Sequence, residues 1–278
     1  RVDENEGIKT MRVILVQGGR VIENYKATGL GAGENPLLSQ TITFWQIPKA
    51  QSTFYAIANE ESIEGLEAYL SSFTPGDSFG TDEDSAMRTY VIETQTGSIP
   101  GDADGITAEG LPIAGIHVAD LTTATDGQVI TIPITRAVAK FVLYITNESG
   151  QAFDLTNVNF GQFVADRTRL FPDQSAAQDI IHNEWNAPCT MTVPADADGT
   201  EAVFTGYIYE TGTLEAEDFT LSLTSSTAGF EALETPMLIN FSQGRNYINR
   251  NEQVEIHATV NVNREVEVDD LEILVVPW

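Results

Sequence analysis

The sequence predicts a mainly β fold arranged as two tandem β-sandwich domains, with one short helix in the first. Three observations carry this. Short runs rich in Val, Ile and Thr are punctuated by Gly, Asp and Asn. Val254, Ile256, Ala258, Val260 and Val262 alternate strictly with Glu255, His257, Thr259, Asn261 and Asn263, the pattern of a sheet with one dry and one wet face. Finally, Ile130, Ile132 and Ile134 alternate on even positions, whereas Phe141, Leu143 and Ile145 alternate on odd ones. A change of phase by one residue turns every side chain to the other face. One continuous strand is therefore not expected, and a boundary is placed near Pro133–Thr135, giving domains 1–134 and 135–278.

The elements follow in order. Met11–Val16 is a strand. Gln17-Gly18-Gly19-Arg20 makes a tight turn into Val21–Tyr25, because two glycines supply the positive φ that such a turn requires. Phe54–Ala58 is a second apolar strand. Ile63, Leu66, Leu70 and Phe73 share one helical face, predicting a helix over 60–73 with those four residues buried. Asn59 or Ser62 is placed to cap it, and Glu60 and Glu61 suit its positive end. Thr74-Pro75-Gly76-Asp77 stops it. Residues 75–110 read as long loops around a strand at Tyr90–Ile92. In the second half, Phe219, Leu221 and Leu223 alternate. Val266 and Val268, then Leu271, Ile273 and Val275, form a last extended segment ending at Trp278.

Charge narrows the function. The 278 residues carry 14 Lys plus Arg against 41 Asp plus Glu, a formal net charge of −27. Nucleic-acid affinity comes from Lys and Arg neutralising phosphates, so it is excluded as the main task, and so is polybasic docking on anionic lipid. The only cysteine, Cys189, permits neither an internal disulfide nor a multi-cysteine zinc site. No run approaches the roughly 20 apolar residues of a membrane span. The opening Arg1-Val2-Asp3-Glu4-Asn5-Glu6 has no apolar stretch and is expected to be the start of a processed product.

No catalytic pattern emerges, and the chain is expected to be no enzyme and to hold no cofactor or metal. His117, His182 and His257 have no zinc-ligand spacing, and there is no G-x-S-x-G elbow. Cys189, behind Pro188 and near Trp185, reads as a structural thiol. Asp102–Gly105 and Asp196–Gly199 share Asp-Ala-Asp-Gly, but Ile113 and Tyr207 stand where a calcium loop of the EF-hand type needs its bidentate Glu. They read as acidic turns. Of the four lysines (Lys9, Lys26, Lys49 and Lys140), only Lys140 lies in an apolar strand-like run, beside Phe141. It alone is a candidate for the buried Lys–Asn crosslink found in some surface adhesins.

Several phrases together resemble the fimbrillin family, the type V pilus subunits of Bacteroidales, and its fimbrillin-like adhesins. They are Ile8–Val16 followed by Gly18–Asn24, then Tyr55-Ala56-Ile57-Ala58-Asn59, then Leu111-Pro112-Ile113-Ala114-Gly115. Arg136-Ala137-Val138-Ala139-Lys140 is the most specific and opens the second domain in the family. Gly206-Tyr207-Ile208-Tyr209-Glu210 and the terminal Val275-Val276-Pro277-Trp278 complete the set. Arg250-Asn251 also matches, although Glu252-Gln253-Val254 replaces the family's usual continuation.

The resemblance implies transthyretin-like sandwiches and a non-catalytic subunit or adhesin at the surface of a Gram-negative envelope, in a fimbrium. It implies a lipoprotein precursor held to the outer membrane through a lipid anchor, trimmed after an Arg or Lys and assembled with other fimbrial subunits by donor-strand exchange. Host or bacterial surface ligands are further candidate partners. Arg1 is the candidate processing residue, and the run Val2–Gly7 is expected to be exposed, as a protease site must be. Leu271, Ile273 and Val275 are the candidate donor strand, with Asp269-Asp270 letting the tail bend away from Val266 and Val268. Burial of three such aliphatic side chains is worth roughly 5–9 kcal/mol before entropy costs. The alternative function is a surface glycan-binding lipoprotein, for which Trp45, Trp185 and Trp278 are the only tryptophan stacking platforms.

Overall fold

The computed structural model describes residues 6–31, 36–79, 87–93, 109–172, 180–195, 201–241, 244–268 and 272–274. The first half contains β1 (Met11–Gln17), β2 (Arg20–Ala27), β3 (Gln51–Ala58), α1 (Leu66–Ser71), β4 (Val91–Glu93), β5 (Ile113–Asp120) and β6 (Thr135–Arg136). Five of its strands form one antiparallel sheet in the order β2-β1-β3-β5-β6. Gly18 and Gly19 take φ of 55° and 73° in the β1–β2 turn, the left-handed region a two-residue hairpin demands.

Every residue of β1 is buried, because both faces of this sheet are covered. Ile14 and Val16, with Tyr55 and Ile57 of β3, face one cluster; Met11, Val13 and Leu15, with Phe54, Ala56 and Ala58, face another. The first cluster is closed by Leu66 and Leu70 of α1 and by Phe79. The second is closed by irregular chain bearing Ile42, Phe44, Ile130, Ile132 and Ile134. The predicted alternation at 130–134 thus holds as burial, without a regular strand.

The second half contains β7 (Val138–Asn147), β8 (Phe153–Ala165), β9 (Arg167–Arg169), β10 (His182–Val193), β11 (Ala202–Tyr209), β12 (Thr220–Ser225), β13 (Met237–Leu238), β14 (Gln253–Val260), β15 (Val266–Val268) and β16 (Glu272–Leu274). Two sheets face each other here. One has the order β10-β8-β12-β13. The other runs β11-β7-β14, with β15 and β16 both pairing β14. Their inner faces interdigitate through Phe141, Leu143, Phe160, Phe163, Phe219, Leu221, Ile256 and their neighbours. Phe141 meets Phe160 edge-on with centroids 5.3 Å apart, a preferred aromatic geometry. The fold is therefore all-β with one short α-helix.

The predicted helix differs in extent. A single 3₁₀ turn at Glu60–Ser62 precedes α1, and the chain between them is not helical. Ile63, Leu66 and Leu70 are buried and Phe73 half-buried. Neither predicted cap acts as one. Asn59 takes φ 57° and ψ 41° and makes no side-chain cap bond. Its amide is occupied elsewhere, as described below. Glu60 and Glu61 likewise serve tertiary partners instead of the helix end.

The chain changes sheet at Ala137. Arg136 pairs with Ile113 at the edge of the first sheet, while β7 lies between β11 and β14. Ala137 and Val138 belong to the same apolar cluster as Tyr55 and Leu66, as do Leu170, Phe171, Tyr207 and Tyr209. The seam between the halves is thus continuous hydrophobic core. A strand pair, β4 with β9, also crosses it.

Candidate functional site

Among the described residues, four of the phrases that carry the family resemblance, at Tyr55–Asn59, Leu111–Gly115, Arg136–Lys140 and Gly206–Glu210, meet around the N-terminal segment. Glu6 and Gly7 are buried, not exposed as their acidic and apolar-poor context predicts. The physical reason lies far along the chain. Lys140 Nζ sits 2.7 Å from Glu6 Oε1, with side-chain exposures of 5% and 0%. Tyr207 donates its hydroxyl to the same oxygen at 2.8 Å. Arg136 Nη2 donates to the Glu6 carbonyl oxygen at 2.8 Å. β7 and β11 pair so that Lys140 stands opposite Tyr207, which aims both at one point. A carboxylate thus faces the Lys140 ammonium. Burial, partly offset by Glu6 and Tyr207, pulls the Arg136 guanidinium down to about 10; it stays charged at neutral pH.

Asn59 fixes the same segment from the other side. Its Oδ1 accepts from the Lys9 and Thr10 backbone amides, and its Nδ2 donates to the carbonyls of Gly7 and Leu111. A Cβ on Gly7 would lie 2.9 Å from Pro36 Cβ, so the segment passes where only glycine fits. Gly115 answers a similar demand, since a Cβ there would stand 2.1 Å from the Pro133 carbonyl oxygen.

A second polar knot closes the far side of the seam. Arg250 pairs with Glu210 and donates to Thr168 Oγ1 and the Arg169 carbonyl, each at 2.7 Å. Burial tends to raise the Glu210 carboxyl, but the hydrogen bond and charge of Arg250 outweigh it and hold it below its ordinary value. Among the described residues, Glu60, Glu61 and Glu67 are the only carboxylate trio close enough to share a metal ion. Lys26 already occupies their centre. Burial disfavours its charge, but the hydrogen bonds it donates to Glu61, Glu67 and Glu60 outweigh that and raise its pKa.

The C-terminal segment stays on its own sheet. β15 pairs Val266 with Val260 and Val268 with Ala258, and β16 pairs Ile273 with Val254. β15 and β16 thus pair the same strand. The register between the two pairings changes by one residue, and this matches the one-residue change of phase in the sequence. Val266, Val268 and Ile273 therefore all stand opposite buried residues of β14. Leu271, Val275, Trp278, Arg1 and the two Asp-Ala-Asp-Gly loops lie outside the described residues.

His182 Nε2 donates to the Thr211 carbonyl at 2.7 Å, and His257 stacks on Tyr144. Burial pushes the Cys189 thiol up to about 11, consistent with a structural role. A polar groove of about 390 Å³ crosses the outer face of the β10-β8-β12 sheet, lined by Asn157, Asn159, Glu184, Asn186, Ser222 and Thr224 among others. Neither described tryptophan, Trp45 or Trp185, lines it. No described helix is long and apolar enough to cross a membrane.

No family model matches the chain, and no curated protein is similar to it in sequence. Solved structures are similar in fold. The tip fimbrial protein Mfa3 of Porphyromonas gingivalis, in a C-terminally truncated form, matches with a TM-score of 0.61 at 15% identity, covering 98% of this chain and 95% of that one. A fimbrilin (FimA) of the same species matches with a TM-score of 0.53 at 12% identity, covering 98% and 92%. The fold is thus that of Bacteroidales fimbrial proteins, along nearly the whole length.

The sequence marked Lys140 by its apolar strand-like run and by the resemblance, marked Arg136 by the resemblance alone, and did not mark Glu6. A signal for it was present. A lysine set in Val138–Phe141 must find a carboxylate if the strand is buried, and its ligand had to come from elsewhere in the chain.

Proposed function

We propose that this chain is a non-catalytic fimbrial subunit or fimbrillin-like adhesin of the cell surface, joined to other subunits by donor-strand exchange. Its two domains are residues 1–134 and 135–278. The observation that carries the reading is the whole-length match to a fimbrial tip protein and a fimbrilin. The geometry of the C-terminal segment supports the mechanism. Among the described residues, β15 and β16 form an edge, paired on one side and through three residue pairs each. Such an edge is the simplest strand for a neighbour's sheet to capture. The acidic exterior discourages nonspecific clumping while the strand supplies specific attraction. The precursor would be lipidated, located at the outer membrane and trimmed at Arg1.

Deletion of 271–278 from the trimmed protein tests the mechanism. Loss of polymer with an intact monomer fold is expected. A monomer that unfolds on deletion overturns the donor assignment.

The polar groove favours a second reading, glycan binding. Its amides and hydroxyls suit a polyhydroxylated ligand, and Glu184 and Glu234 at its walls would reject acidic sugars. A glycan array probed with wild type and with Asn186→Ala discriminates: binding to neutral glycans that the variant loses supports it, and an empty array rejects it.

A further inference from the structure

We infer that Lys140, Arg136 and Tyr207 form a carboxylate-receiving socket at the seam between the two halves, and that Glu6 is its resident occupant, clasping the N-terminal segment across both. This holds whether or not subunits exchange strands.

The socket is built, not incidental. Lys140 and Arg136 are each 5% exposed, and the side chain they receive is fully buried. Tyr207, also buried, shares Glu6 Oε1 with Lys140, while Arg136 binds the Glu6 main chain. The occupant is thus read twice, at its carboxylate and at its main-chain carbonyl. The three receiving groups come from β6, β7 and β11, the strands on either side of the chain's crossing between sheets. Asn59 holds the Gly7 carbonyl from β3's end, and the Ile8 amide donates to the Leu37 carbonyl at 2.8 Å. Withdrawing the segment would take the Glu6 carboxylate away from the buried Lys140 ammonium, which is unfavourable. The vacated socket would then favour another carboxylate beside a main-chain carbonyl, such as that of a second copy. Trimming at Arg1 leaves Glu6 in place, so a subunit processed there keeps its clasp. A cut after Lys9 or Arg12 removes it.

Chemical rescue tests the socket on the full chain. Glu6→Ala vacates it, and acetate is the probe. Acetate should raise the melting temperature of Glu6→Ala by a few degrees beyond the effect of equal chloride. Wild type and the Glu6→Ala/Lys140→Met double variant should show no such excess. Equal responses to acetate and chloride in Glu6→Ala overturn the inference. If Glu6→Ala does not fold, Glu6→Gln decides through amide exchange. Its Ile8 amide should exchange at least roughly tenfold faster than in wild type, the mark of a loosened clasp. Unchanged exchange at Ile8 overturns the inference as well.

Discussion

Arg12 grips both carboxylate oxygens of Glu60, Nε to Oε2 at 2.7 Å and Nη2 to Oε1 at 2.8 Å, with both side chains buried. The same guanidinium donates to Asn24 Oδ1 and Ser71 Oγ. One side chain thus joins β1 to β2, to the 3₁₀ turn and to the end of α1. A planar fork with this donor set has no equivalent in lysine. Removing one partner of a buried pair costs about 3–5 kcal/mol. Glu60→Gln and Arg12→Met should each fall in that range by urea denaturation. The double variant should lose clearly less than the sum of the two. Additive losses would show that the pair is not coupled.

Asn59 separates conformation from hydrogen bonding. Its positive φ suits Asn or Gly, and its side chain both accepts and donates. Asn59→Asp keeps the acceptor for the Lys9 and Thr10 amides but loses both donors, leaving the Gly7 and Leu111 carbonyls without that partner. Each buried group so orphaned costs about 1–3 kcal/mol. The aspartate variant should therefore be destabilised by about 2 kcal/mol or more. Gly110→Ala should fail similarly, because its Cβ would lie 2.5 Å from Asn59 Nδ2 at a backbone φ of 82°. A thermal melt of either variant that overlays wild type would contradict this.

The fold was legible where local chemistry decides it. Gly18-Gly19 announces the hairpin, and β14 alternates in burial as it alternates in sequence. Long-range partners were not legible. Glu60 and Glu61 look like helix-start residues, yet Arg12, Lys26 and Thr10 claim them, and α1 begins only at Leu66. Residues 2–7 look solvated because nothing nearby covers them, whereas the groups that bury Glu6 stand on β6, β7 and β11. Of the candidate site, the cationic half was visible as a lysine among apolar neighbours. The carboxylate half was one acidic residue among 41, with no local mark to distinguish it.

Stability should fall in acid through Glu210. Its folded carboxyl is held below the ordinary value of 4.5, burial opposing and Arg250 and Thr168 prevailing. A depressed folded pKa means that the unfolded chain takes up the proton first. The contribution is therefore present above the ordinary value and is lost as pH falls through the folded one. Glu210→Gln keeps an acceptor for Arg250 but cannot titrate. It should melt a few degrees below wild type at pH 7, and the gap should narrow steadily below about pH 4.5. Glu61 and Asp166, also held low, keep some acid sensitivity in the variant. A gap independent of pH would remove Glu210 from the account.

The register of the C-terminal edge gives the sharpest test of how its sequence is read. Up to Val268 the paired positions on β14 and β15 sum to 526, as in Ala258 with Val268; from Glu272 they sum to 527, as in Glu255 with Glu272. One extra residue has been taken up between them, the count of a β-bulge. Deleting Asp270 removes it. The sequence then reads Val266-Glu267-Val268-Asp269-Leu271-Glu272-Ile273 with unbroken alternation, and one register serves the whole strand. Pairing of Val266, Val268 and Ile273 opposite Val260, Ala258 and Val254 is preserved. This deletion should leave the melting temperature unchanged or raise it. Inserting one alanine after Asp270 has the opposite parity: either the register slips again or Ile273 moves to the other face. The insertion should lower the melting temperature and speed amide exchange along the outer edge of β14. If the deletion destabilises as much as the insertion, the extra residue is an obligatory part of the edge, and the strand is not a single unit with one face toward the core.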